Sequence, residues 1–198
     1  MLVLHYTGMK TTEEAILRLC DAEAKVSSHY LIDESGKIYQ LVAEGKRAWH
    51  AGISYWRGNT NINQRSIGIE IVNCGHEFGY TPFPKKQMQS VAKLSLDIIS
   101  RHKIPARNVV GHSDIAPTRK QDPGELFDWK WLAQQGIGLF PSSSTNPQPP
   151  ATLHQYGYDI TAPAQTITAF QRHFRPTIIN GQWDDECGYL LAGLLEMI

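Results

Sequence analysis

Cysteine is scarce and scattered in this 198-residue sequence: Cys20, Cys74 and Cys187 stand far apart, and no C-x-x-C occurs. A zinc ribbon is thereby excluded, and an odd number of isolated thiols is a poor basis for a disulfide framework. Long apolar runs are missing too. Nothing approaches the roughly 18–20 consecutive residues that a bilayer demands, so no transmembrane segment is expected. Neither sign of charge is in excess, with 19 Lys and Arg against 19 Asp and Glu and an isoelectric point near 7.1. A dedicated nucleic-acid binder gathers a basic face to displace counterions from phosphates, so nucleic acid is not the expected partner. No basic, leader-like stretch opens the sequence; Met1 is followed at once by the strand-like Leu2-Val3-Leu4. The expectation is a protein that stays in the cytoplasm or one whose leader has been removed. What is present is a globular composition, 41% hydrophobic and 19% charged.

One shift in composition divides the chain. Phe140 to Pro150 reads F-P-S-S-S-T-N-P-Q-P-P, and its four prolines favour an extended path over a helix or central strand. Reading it as a linker gives three parts, residues 1–139, 140–150 and 151–198. Residues 1–150 carry 17 basic and 14 acidic side chains, and 151–198 carry 2 and 5. Neutrality is therefore the sum of a +3 part and a −3 part.

The first part alternates strand and helix patterns. Leu2 to Tyr6, His29 to Ile32, Lys37 to Val42, Ser66 to Val72 and Val109-Val110 read as strands. Thr11 with Glu14 offers a capping box for a helix through about Asp21. A longer helix runs from about Pro84 to His102, with Met88, Val91, Ser95, Ile98, Ile99 and His102 on one stripe. Trp129 to Gln135 is a last helix. This order predicts an α/β fold with a single central mixed sheet flanked by helices. The tail shows helix patterns over Pro163 to His173 and from an Asp184 cap to Glu196, with a short turn near Leu153–Tyr156. That predicts a small three-helix domain suited to binding, whose aromatics, expected at the surface, leave a protein partner open.

Zinc hydrolases need three protein ligands and an open position for water. His5 ends the first strand, His112 follows the last one in Gly111-His112-Ser113-Asp114, and Asp122 lies ten residues further on. Two strand-end ligands and a loop carboxylate can converge without a continuous motif. Taken singly, a histidine serves packing or surface as readily, and Asp122-Pro123-Gly124 is also an ordinary turn. Glu70 interrupts an apolar strand. A carboxylate there must be paired, metal-linked or protonated unless that face is wet. Lys120, two residues before Asp122, points the same way in an extended segment.

These residues assemble into a known pattern. The first ~138 residues resemble the zinc-dependent N-acetylmuramoyl-L-alanine amidases of the amidase-2, or peptidoglycan-recognition-protein-like, fold. The stretches that carry the resemblance are Leu4-His5-Tyr6-Thr7, Val26 to Tyr30, Ala48-Trp49-His50-Ala51-Gly52, Ser66 to Glu70, Gly111 to Pro117 and Lys120 to Gly124, in the family's order. The resemblance implies one catalytic Zn²⁺ on His5, His112 and Asp122, with Glu70 as acid/base and Lys120 as oxyanion stabiliser. It also implies a peptidoglycan or muropeptide substrate, cut between N-acetylmuramic acid (intact or 1,6-anhydro) and L-alanine. Trp49, His50 and His29 are candidate substrate contacts; Trp49 and His50 could equally close the core and cap a turn, and His29 suits a structural hydrogen bond better. Tyr156-Gly157-Tyr158, Ala169 to Phe174 and Gly181 to Asp184 resemble a peptidoglycan-binding domain, which looks like the AmiD-like branch. That branch implies the cell envelope or periplasm, with outer-membrane association if a leader has been removed, and the cytoplasm is the alternative. A non-catalytic recognition module and a phage-type lysin are the competing readings. Oligomeric state is left open.

Overall fold

The computed structural model describes residues 1–142 and 144–198. Among these, five strands form one sheet in the order β3-β2-β4-β1-β5. They are β1 Leu2–Tyr6, β2 Tyr30–Ile32, β3 Ile38–Gln40, β4 Ile67–Ile71 and β5 Val109–Gly111. The strands β2, β4, β1 and β5 run parallel, and β3 closes the edge as an antiparallel hairpin on β2. The sheet is mixed, as the sequence predicts.

Alternation assigns the two faces. Leu2, Leu4, Ile67, Ile69, Ile71 and Val109 enter one core, which α3 (Lys85–His102) covers with Met88, Val91, Leu94 and Ile98. The expected stripe stops short at its end. His102 is exposed and donates to Glu44 at 2.7 Å, because the last turn of α3 has run past the apolar core. Pro84 precedes α3 as its cap residue and α5 covers Trp129–Gln134. The first helix, α1 (Thr12–Cys20), is capped by the Thr11 hydroxyl accepting from the Glu14 amide. The return bond of the capping box reaches Lys10 N–H rather than Thr11 N–H. Two four-residue helices, α2 (Gly75–Phe78) and α4 (His112–Ile115), are too short to leave any periodicity in the sequence.

Val3 and Val110 face the other way, into a core shared with the C-terminal segment. That segment contains α6 (Leu153–Tyr156), α7 (Pro163–Phe174) and α8 (Asp185–Glu196), the last capped by Asp184. The tail aromatics expected at the surface are turned inward: Tyr156 and Tyr158 pack edge-on against Trp56 at 5.8 and 5.1 Å, and Phe170 and Phe174 lie behind them. Gly157 makes the approach possible. A Cβ there would sit 2.9 Å from the Trp56 ring, and its carbonyl accepts from Arg57 N–H. The proline-rich stretch 140–150 includes Ser143, which lies outside the described residues. Beside it, Ser144 and Gln148 donate to the backbone of α8 at Tyr189 and Gly188.

Candidate active site

The parity that buries Leu2 and Leu4 on one face sends His5 to the other, and β4 does the same for Glu70. The two residues are register partners at the carboxyl ends of adjacent parallel strands. β5 flanks β1 on its other side and ends at Gly111, so His112 leaves it as the first residue of α4. The loop after α4 returns along this end, where Ser113 N–H donates to the Asp122 carbonyl at 2.9 Å. Open α/β sheets bind ligands at this end of their strands.

Three atoms converge there. His5 Nδ1 and His112 Nδ1 are 2.9 Å apart, and Asp122 Oδ2 lies 3.1 and 3.0 Å from them. All three side chains are buried, and together they could hold a metal ion. A tetrahedral zinc with bonds of about 2.0–2.1 Å separates its ligand atoms by about 3.3 Å, so the triangle has nearly the right size. The donor chemistry fits as well. His112 Nε2–H donates to the Ala51 carbonyl at 3.1 Å, which leaves Nδ1 as a lone pair. For His5 the tautomer follows from a chain of bonds. Ser66 Oγ spends its hydrogen on the Ile62 carbonyl (2.6 Å) and therefore accepts from His50 Nε2–H (3.2 Å). His50 Nδ1 is then an acceptor for His5 Nε2–H at 3.0 Å. Two imidazole lone pairs facing each other at 2.9 Å repel unless a cation lies between them. Burial, then the neighbouring His112 ring, lowers His5 to about 4, so the unprotonated form needed for ligation prevails at neutral pH.

His50 owes its place to Gly68. A Cβ on residue 68 would lie 2.6 Å from the His50 ring, against which β4 presses directly. We expect Gly68→Ala to displace the ring and weaken metal binding by about 10-fold, the low end for an outer partner of a ligand. Chelator competition measures this, with the thermal midpoint of the metal-free protein as control.

The site opens into a cleft of about 380 Å³ lined by Tyr6, Met9, Glu70, Arg119, Lys120 and Asp122, among others. Glu70 is 8% exposed and its Oε2 has no hydrogen-bond partner among the described residues. Burial, then the Asp122 charge, pushes its carboxyl well above the usual range, with Lys120 pulling the other way. Lys120 is exposed on the same cleft, and Arg18 and Arg119 add positive charge to the rim.

Of the remaining sequence candidates, His50 lines this cleft, whereas His29 and Trp49 do not. His29 is buried away from the cleft. Its Nδ1 accepts from Gly68 N–H and its Nε2–H donates to the Lys46 carbonyl, which leaves no ring nitrogen for a ligand. His50 is buried as well, and both its nitrogens are spent on His5 and Ser66 rather than on a substrate. Trp49 is 45% exposed on a neighbouring hollow, with the Arg47 guanidinium over its ring at 5.7 Å. Sequence reasoning passed over Arg119, whose guanidinium donates to the carbonyls of Ala51 and Ile53 and so braces the Trp49–Ile53 loop against the cleft. Nothing but its place beside Lys120 signals this.

Known proteins share both the sequence and the shape. Residues 1–125 match the amidase-2 family, described as N-acetylmuramoyl-L-alanine amidase. The chain is 42% identical to N-acetylmuramoyl-L-alanine amidase AmiD of Escherichia coli over 229 residues, covering 99% of this chain and 82% of that protein. The structure of AmiD with anhydro-N-acetylmuramic acid-L-Ala-D-gamma-Glu-L-Lys superposes with a TM-score of 0.89 at 41% identity, covering 100% and 88% of the two chains. AmpDh3 of Pseudomonas aeruginosa, in complex with anhydromuramic pentapeptide, gives 0.90 at 35% identity over 100% and 91%. The 1,6-anhydro-N-acetylmuramyl-L-alanine amidase AmpD of E. coli is 43% identical, but over only 54% of this chain and 57% of its own. No helix among the described residues is long and apolar enough to cross a membrane. The chain belongs to the amidase-2 family of N-acetylmuramoyl-L-alanine amidases, in its AmiD-like branch.

Proposed function

We propose that the chain hydrolyses the amide between the lactyl group of N-acetylmuramic acid and L-alanine of the stem peptide, with His5, His112 and Asp122 holding one zinc ion. The observation that carries this reading is the meeting of three ligand atoms beside an unpartnered, buried Glu70 in a cleft that also holds Lys120. Zinc held there supplies Lewis acidity and brings the pKa of water at the open position toward roughly 7. Glu70, once ionised, accepts the proton of the attacking water. Lys120 meets the negative charge that grows on the amide oxygen. Glu70 then returns the proton to the departing nitrogen, the C–N bond breaks, and the products are a lactyl carboxylate and a free L-alanine amine. A non-catalytic recognition module would have no use for Glu70 and Lys120 at these positions.

Arg18, Arg119 and Lys120 suit the carboxylates of a stem peptide, and Trp49 offers an exposed aromatic face beside the cleft. Likeness to proteins solved with anhydromuramic peptides supports 1,6-anhydro substrates, and intact strands carry the same amide. In this reading residues 1–139 form the catalytic domain, 140–150 connect, and 151–198 also contact the polymer, with the enzyme at the cell envelope. The test is mass spectrometry of products from an anhydromuropeptide and from intact peptidoglycan. Free stem peptides beginning with L-alanine are expected, lost on chelation and restored by zinc. Undiminished release from protein shown to be metal-free would sink the zinc reading.

A further inference from the structure

The C-terminal segment touches the candidate active site from behind, through one carboxylate. Asp114 stands two residues after His112 in α4 and is 1% exposed. Its Oδ2 accepts from Gly111 N–H at 2.7 Å, which ties the start of α4 to its own third residue. Its other partners come from the tail: Tyr158 O–H donates to Oδ1 at 2.7 Å, and His173 Nδ1 lies 2.8 Å from Oδ2. Both are buried, and His173 is clamped between the rings of Trp129 and Phe174, each at 3.9 Å and nearly parallel. Its donor nitrogen therefore has one direction. Without these two donors, a buried carboxylate would keep a single backbone N–H, and α4 would lose its polar ties to the tail. α4 presents His112 on one side and is bonded to the Asp122 loop through Ser113 on another.

A second line leads from α7, which carries His173, to the cleft. Arg172, adjacent to His173, lies 3.4 Å from the Glu125 carboxylate, which pairs with His76 Nε2 at 3.1 Å. His76 Nδ1 in turn meets Tyr6 O–H at 2.9 Å, and Tyr6 follows His5 and lines the cleft. α7 thus braces both neighbours of the metal-ligand set.

We propose that Tyr158 and His173 are positioning residues for the metal centre: by holding Asp114 they fix α4 and the direction of His112, which makes the C-terminal segment part of the zinc-binding frame. This rests on His112 being a zinc ligand, as read above. The test is zinc affinity of the full-length protein by chelator competition, with the metal-free thermal midpoint recorded for each variant. The double variant Tyr158→Phe/His173→Phe keeps the packing and removes both donors; its zinc Kd is expected to rise about 10-fold, at the low end for outer-shell partners. His173→Asn restores a donor near the Nδ1 position and should stay near wild type. Trp183→Phe removes an indole N–H that bonds the Gln148 carbonyl and leaves both Asp114 donors in place, so it should leave the Kd unchanged. If the double variant does not fold, Tyr158→Phe alone carries the test, with a rise of about three-fold. An unchanged Kd in the folded donor-less variant overturns the proposal, as does an equal rise in Trp183→Phe. His112→Ala separates the two levels: if it binds zinc like wild type, the metal assignment itself has failed.

Discussion

Glu70→Gln is expected to keep zinc bound and to lower kcat by about 10²–10⁴, the usual worth of a positioned acid/base. The amide retains the volume and the hydrogen-bonding shape of the carboxyl, so the loss isolates proton transfer. The metal-free protein should respond in the opposite sense. Because burial and Asp122 raise the Glu70 pKa in the folded chain, the folded state binds the extra proton more tightly than the unfolded state. Its stabilising contribution is complete below the unfolded pKa of about 4.3 and is lost as pH rises through the folded value. Glutamine has no proton to lose. Glu70→Gln should therefore melt higher than wild type at pH 7–8 and converge with it near pH 4. Turnover within ten-fold of wild type would remove Glu70 from the mechanism.

That such a residue could be found by reading the chain follows from strand alternation. Ile67, Ile69 and Ile71 define one buried face, so the acid between them needed a reason on the other, and His5 has the same parity in β1. α3 and α8 were legible from periodicity and caps. The convergence of His5, His112 and Asp122 was not, because β1, β5 and a loop 117 residues from His5 meet only after the sheet orders itself as β4-β1-β5; motif resemblance supplied it instead. The bonds that tie His50 to His5 and Ser66 were hidden for a related reason. Its burial depends on the missing Cβ of Gly68 and the hydroxyl of Ser66, neither of which changes any local pattern. The tail aromatics look like a binding surface in sequence, and only Gly157 marks the close approach that turns them onto Trp56. Asp114 could not be told from any other acid, since its side-chain donors lie 44 and 59 residues away.

The largest loss is expected at Asp122. It is the only ligand of the three that brings a negative charge, set against two neutral imidazoles. Asp122→Ala removes one coordinating atom and that charge together, and it leaves the His5 and His112 lone pairs opposed at 2.9 Å. Zinc affinity should fall by more than the roughly 10–100-fold that loss of an outer partner costs, and activity at micromolar zinc should disappear. Asp122→Asn keeps an oxygen in place without the charge and should fall between the two, with partial recovery at high zinc. The backbone contribution of residue 122 is common to all three proteins, because Ser113 donates to its carbonyl and not to its side chain. A graded order of zinc content after dialysis against one chelator concentration, wild type above Asn above Ala, measures the electrostatic share of binding separately from the fold. If Asp122→Ala held one zinc per chain under conditions that strip His112→Ala, the third ligand would have to be another group, and among the described residues Glu70 is the only other carboxyl lining this cleft.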